Sequence, residues 1–437
     1  MKLRTLTLTL AMMAAFAGTA QAQSLATLYE AAKSHDATFK SAQSQYKAAQ
    51  AKADQARALL RPTAGLGGNF SESSLSNQSN AAGSGEFGTR SLTLNASQPL
   101  YRPANQITLE QGLKQEAMAQ VQLKLAEQEL IVRLSQAYFD VLTSQESLNF
   151  VKAQKSAVSE QLAAAKRNFE VGTATITDTR EAQARFDLVT AQEIAAENDL
   201  RIKKLALDET VGLRDVSPKA LALEAQMDNL QKGSIDSWVT QSAQDNGQLA
   251  LARMSLELAR LEIAKAKAAE RPTVDLVGSY GMTRYRNGAI SQQDTNVATV
   301  GLTFNYPLYT GQSTQNRIRE TVALEDKARN DLEAAQRSVA QTTRAAFLGL
   351  QSGLSQVRAL KAAEASSQSA LDANKLGYQV GVRINIDVLN SQSQLFQTKR
   401  DLAKARHDVL LGQLRLKQAS GTLQADDLQN ISTLLQK

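Results

Sequence analysis

The chain carries the same text twice, so its fold must be one that two copies of a single substructure can build. Glu170-Val171-Gly172-Thr173-Ala174-Thr175-Ile176-Thr177-Asp178 returns as Gln379-Val380-Gly381-Val382-Arg383-Ile384-Asn385-Ile386-Asp387. Arg61-Pro62-Thr63 is answered by Arg271-Pro272-Thr273, Pro99-Leu100-Tyr101 by Pro307-Leu308-Tyr309, Phe139 by Phe347 and Gly212 by Gly421. Each pair lies roughly 210 residues apart, far beyond the period of a solenoid. The spacing points to a tandem duplication, repeat 1 over 23–232 and repeat 2 over 233–437, built side by side about a pseudo-symmetry axis.

Composition says what the unit is made of. Six prolines and one tryptophan in 437 residues, against abundant Ala, Gln, Leu, Lys, Arg and Glu, describe long helices rather than compact mixed globules. The formal charge of +6 includes Lys2 and Arg4, and no basic block suggests nucleic-acid binding. With no cysteine there is no disulfide framework, so packing must hold the chain. Lys2 and Arg4, the apolar run Leu6 to Ala17 and Ala20-Gln21-Ala22 read as a signal peptide over 1–22, with a mature start at Gln23. No later stretch is long and apolar enough for a membrane-spanning helix. A free periplasmic protein, a secreted one, or one inserted through β-strands remain.

Four segments break the helical texture: 63–76, 88–98, 272–285 and 296–306. Leu92, Leu94 and Ala96 alternate with Thr93, Asn95 and Ser97; Ala298, Val300, Leu302, Phe304 and Tyr306 alternate with Thr299, Gly301, Thr303 and Asn305. Period two with an apolar and a small polar face is a strand with oil on one side and water on the other, at the length a tilted membrane strand needs. Polar loops, Glu72 to Phe87 and Arg286 to Thr295, join each pair, and Phe70, Tyr101, Tyr280, Tyr285, Tyr306 and Tyr309 sit at strand ends. The competing reading is two soluble hairpins packed on helices.

The remainder reads as helix: 36–60 with 246–270, 104–169 with 312–378, and 178–211 with 387–420. The long pair, at 1.5 Å per residue, is on the order of 100 Å each and demands coiled-coil packing. Leu134, Val141, Leu148 and Leu162 share one heptad register that Lys155 interrupts, with Val151 and Val158 three positions on. Val388, Leu395, Leu402, Val409 and Leu416 hold another. Pro62, Pro99, Pro272 and Pro307 fall at helix–strand junctions, and Gly172 and Gly381 at tight reversals. The stretches 213–237 and 422–437 lack long periodicity and read as a belt of short elements, with Trp238 as a packing residue.

Four strands cannot close a membrane barrel, whose free edges would leave backbone groups unpaired in lipid. Two chains give eight strands and a filled interior; three give twelve, and the small polar inner residues favour three and an open lumen. The expected fold is thus mainly α with membrane β, a trimeric twelve-stranded barrel continuous with a long periplasmic α-helical coiled-coil barrel.

At this point the chain resembles the TolC family of trimeric outer-membrane exit ducts. The resemblance covers the whole mature chain, and its most specific stretch is Tyr378 to Asn390, with Tyr, Val-Gly, Arg and Asp-Val-Leu in order. It implies a homotrimer in the outer membrane of a Gram-negative bacterium, closed at its periplasmic end. Docking of a periplasmic adaptor and an inner-membrane pump, of ABC, RND or similar type, opens it. By motif position it assigns the gate to Thr177, Asp178, Tyr378 and Arg383, and the adaptor-docking helix tips to Val171, Gly172, Thr173, Val380, Gly381 and Val382. Asp387 faces the tunnel axis in this assignment, and Asn390 stands where the family's commonest form has a second acid, leaving one acidic ring. A carboxylate, a guanidinium and a tyrosine hydroxyl can form such a latch, but Asp178 followed by Glu181 also reads as a plain capping box, and Asp387 as a helix start.

No nucleophile, base or cofactor loop appears at usable spacing, and His35 and His407 have no metal-ligand spacing, so neither enzyme, cofactor nor metal is expected. The runner-up is a trimeric periplasm-spanning structural or adhesive coiled coil. Its stalk would carry one continuous heptad run, whereas here the strands are internal, duplicated and flanked by helices.

Overall fold

The computed structural model describes residues 23–75, 85–220, 233–286 and 294–432. The expected signal peptide, the centres of both strand-joining loops, and parts of the belt lie outside these. Two helices open the chain, α1 (Leu25–His35) and α2 (Ala37–Ala58), followed by strands β1 (Thr63–Leu75) and β2 (Gly85–Tyr101). Helices α3 (Pro103–Glu170) and α4 (Ile176–Val211) come next. The same order then runs again as α5 (Ile235–Asp245), α6 (Gly247–Ala268), β3 (Thr273–Arg286), β4 (Thr295–Asn305), α7 (Ser313–Gln379) and α8 (Asn385–Ser420), with α9 (Asp426–Ser432) last. Helix lengths match along the two series: 11, 22, 68 and 36 residues against 11, 22, 67 and 36.

The chain divides into two compact units. One comprises residues 43–122 and 250–335, and holds the sheet. Its strands form one antiparallel sheet in the order β1-β2-β3-β4, so β2 pairs with β3 and the two hairpins are joined. Residues directly opposite share a face. One face carries the rows Leu66–Leu94–Tyr280–Ala298, Leu92–Met282, Leu276–Leu302 and Val274–Phe304. The other carries Gly65–Asn95–Ser279–Thr299, Asn69–Ser91–Thr283–Thr295 and Asp275–Thr303, with Val277, Val297 and Tyr285 as large apolar members. Leu66, Leu94, Val300, Leu302 and Phe304 are exposed in the single chain. On the polar side Thr63, Gly65, Asn95, Ser97, Ser279 and Thr299 line a hollow of about 410 Å³.

The sheet's lower end is fastened by one ion pair. β2 runs through Pro99 to Tyr101 rather than stopping before the proline, because a register shift between Pro99 and Tyr101 absorbs it. Pro103 then begins α3 at the first helical position, where its missing N–H costs nothing. Between them Arg102 donates from Nε to Asp275 Oδ1 (2.7 Å) and from a terminal nitrogen to Oδ2 (2.5 Å), a planar fork on a buried carboxylate of β3.

The other unit comprises residues up to 42, 123–249 and 336–437. Its core gathers Leu25, Leu28 and Tyr29 of α1, Leu130, Ile131, Leu134 and Tyr138 of α3, and Leu410 and Leu414 of α8. The heptad residues Val388, Leu395, Leu402, Val409 and Leu416 are each 2% exposed, and Leu134, Val141, Leu148, Val151, Val158 and Leu162 are all buried. Lys155, the interruption, reaches sideways to Glu193 of α4 at 2.6 Å. Trp238 packs against the main core. Ahead of α5, Gln23 bridges Pro218, and the buried Tyr138 hydroxyl donates to the Lys219 carbonyl at 3.0 Å.

Candidate functional site at the helix turns

Two turns carry the residues assigned to the gate, and the same backbone chemistry closes both. In the first, Gly172 N–H donates to the Phe169 carbonyl and Thr173 N–H to that of Asn168; in the second, Gly381 donates to Tyr378 and Val382 to Gly377. This pair of bonds is the Schellman closure, which needs a left-handed residue at its centre. Gly172 and Gly381 supply it, with φ of 78° and 77°. Val171, Val380, Val382 and Ile384 stand well exposed on these turns, as do Gly172, Thr173 and Gly381.

The helices leaving the turns begin two residues earlier than expected, and this corrects the capping assignment. Thr175, not Asp178, is the N-cap of α4; its hydroxyl accepts from Asp178 N–H at 3.2 Å, and Asp178 Oδ2 accepts from Thr175 N–H at 2.9 Å. The box is Thr175 with Asp178, rather than Asp178 with Glu181. In the second turn Ile384 occupies the cap and has no side chain to offer. Asp387 sits where Asp178 does but has no hydroxyl to answer it, and lies 3.7 Å from a guanidinium nitrogen of Arg383. Two differences separate the copies here: Thr175 against Ile384 removes the hydroxyl that engages the aspartate, and Ala174 against Arg383 supplies the guanidinium beside it.

Among the described residues no hydrogen bond or ion pair joins Thr177 or Asp178 to Tyr378 or Arg383 within one chain. The side chains that do link the turns are others. Asn168 donates to the Tyr378 hydroxyl at 3.3 Å. Asn385, fully buried, accepts from the Gln161 amide and donates to the Asp178 carbonyl at 3.5 Å. Arg185 of α4 donates to the Asn390 side-chain oxygen at 2.8 Å. Asn385 already stands opposite Ile176 in the repeated stretch, and Asn168 opposite Gly377 two residues before it; an amide set against isoleucine or glycine was the signal available.

The sequence profile described as "Outer membrane efflux protein" matches residues 28–213 and again 238–422. The chain belongs to the outer membrane efflux protein family. It is 33% identical over 414 residues to outer membrane protein TolC of Vibrio cholerae, covering 94% of this chain and 93% of the relative. It is 29% identical over 429 residues to the proteases secretion protein PrtF of Dickeya chrysanthemi, covering 96% and 92%. Among solved structures, outer membrane protein VceC of Vibrio cholerae shares the fold, with a TM-score of 0.78 at 20% identity over 91% of this chain and 96% of that one. The outer membrane efflux proteins are channels rather than enzymes. This chain is an outer-membrane exit duct for efflux and type I secretion in a Gram-negative cell, with a large periplasmic helical portion.

Proposed function

We propose that three copies of this efflux protein close one twelve-stranded barrel, whose apolar face meets lipid and whose polar face lines the duct. The observation that carries this is the register: it sorts the four strands into an apolar and a polar face while leaving β1 and β4 each paired on one side. Edges unpaired in lipid cost several kcal/mol per backbone group, so the sheet must continue into neighbouring chains. Eight strands would fill their interior with side chains; the small Gly, Ser, Thr and Asn residues around the hollow suit a wider ring. The repeated element order and the profile's double match support a tandem duplication, so that three chains present six helix turns around the tube.

In this reading the turns form the periplasmic gate. Thr177 and Asp178 of one turn face Tyr378 and Arg383 of the other turn on a neighbouring chain. Asp387 forms the tunnel's acidic ring, with Asn390 one turn beyond and already engaged by Arg185. The exposed tips at Val171 to Thr173 and Val380 to Val382 receive a periplasmic adaptor, and an inner-membrane pump completes the path; the duct itself is passive. The test is single-channel conductance of purified trimers in planar bilayers: Arg383→Ser with Tyr378→Phe raises it. Unchanged conductance removes the gate assignment, and a trimer that conducts nothing in any variant removes the duct in favour of a stalk.

A further inference from the structure

One glycine at the gate is not explained by backbone conformation. Gly377 lies inside α7, one residue before Tyr378, with no positive φ. Glycine in a helix interior is about 1 kcal/mol worse than alanine, so something must hold it there. The space around it supplies the reason. A Cβ added at Gly377 would lie 2.6 Å from Arg383 Cγ, 3.3 Å from its Cβ and 3.6 Å from Val382 Cγ2. The Schellman closure makes this unavoidable, because the Gly377 carbonyl accepts from both Val382 and Arg383 N–H and so draws the returning chain across its own α-carbon.

The first copy solves the same geometry with sizes exchanged. There Asn168 accepts from Thr173 and Ala174 in the same way, and the returning residue is Ala174, which ends at Cβ. A full side chain therefore fits at 168, and its amide reaches across to the Tyr378 hydroxyl. One copy has a small residue under a large one; the other has a large residue beside a small one.

We infer that Gly377 is the positioning residue for Arg383 and Asn168 that for Tyr378. Together these matched positions aim the two unlike members of the gate. This rests on the reading that Arg383 and Tyr378 hold the closed tip. Gly377 acts by leaving room for the arginine stem. In the single chain the guanidinium lies 3.7 Å from Asp387.

The test is conductance of full-length trimers in planar bilayers for Gly377→Ala, Arg383→Ala, the double variant, and Gly349→Ala. Gly349 lies in the same helix with open space around it and controls for helix propensity. Losing one charge-assisted contact shifts an open–closed ratio by roughly tenfold or more. Expected are Gly377→Ala and Arg383→Ala each raising closed-state conductance to a similar level, the double variant no further, and Gly349→Ala at wild-type level. Gly377→Ala at wild-type level while Arg383→Ala is raised overturns the positioning role and spares the gate. Arg383→Ala at wild-type level overturns the gate reading itself, and this inference with it. A further rise in the double variant also overturns it, since Gly377 would then act through something other than Arg383. Should Gly377→Ala fail to assemble, the double variant, lacking Arg383 Cγ, assembles if the clash is the cause; its failure too is an overturning result.

Discussion

Removing Arg102 should damage this protein more than removing its partner Asp275, although the two share the same pair of hydrogen bonds. The asymmetry comes from burial. The Asp275 side chain is 9% exposed and the Arg102 side chain 43%. Arg102→Ala leaves a carboxylate shielded by the β2–α3 junction with no cation, a situation that costs about 3–5 kcal/mol when burial is complete. The open side of the arginine admits water here, so about 2–3 kcal/mol is the expected cost. Asp275→Ala leaves a guanidinium that can turn into solvent, for about 1 kcal/mol. The double variant should resemble Asp275→Ala, giving a coupling of about 2–3 kcal/mol. The assay is the rate at which the purified protein loses its folded form at a fixed raised temperature, followed by circular dichroism. If the fork breaks before the rate-limiting step, Arg102→Ala accelerates that loss by roughly 30- to 150-fold and Asp275→Ala by roughly fivefold. Equal rates for the two single variants, or a double variant whose rate is the product of the singles, would refute the reasoning.

Asn385→Ala removes both amide links from a fully buried position, to Gln161 and to the Asp178 carbonyl; it should cost about 1–3 kcal/mol and lower the Tm, whereas Asn390→Ala, exposed, should leave it nearly unchanged. His407 makes stability pH-dependent. Burial pushes it from its ordinary 6.5 down to about 4, with its Nδ1 against the Thr143 hydroxyl and Glu146 at 3.9 Å from Nε2. As pH falls below about 6.5 the unfolded chain takes the proton first, so stability drops until the folded ring also titrates near 4. Burial raises Glu146 in the folded state, which contributes the opposite slope and offsets part of this. His407→Gln should flatten the fall in Tm between those two pH values; an unchanged pH profile would remove His407 as its source.

Much of the fold was legible because its signals are periodic. The heptads at Val388 to Leu416 named buried positions directly, and the alternation at Leu92 to Ser97 named both faces of the sheet. Boundaries were less so, for local reasons. Thr175-x-x-Asp178 and Asp178-x-x-Glu181 both fit a capping box, and only the backbone path out of the Gly172 turn selects the first. Pro99 reads as a stop, but a bulge carries the strand through it. The site was legible as two turns and illegible as contacts. Asn168 meets Tyr378, and Gln161 meets Asn385, across more than two hundred residues of chain, through a placement of helices that no local pattern encodes.

The uncapped turn at Ile384 bears on how such a gate can change over generations. Six identical turns would respond to any mutation in unison, so a helpful change at one would be imposed on all. In the trimer proposed above, with both copies on one gene, a single nucleotide change reaches alternate turns only. Thr175 can go on securing its helix while Ile384 leaves Asp387 available to the arginine. Under the proposed docking at these tips, lineages facing different adaptors could alter one class of turn while the other keeps the wall intact.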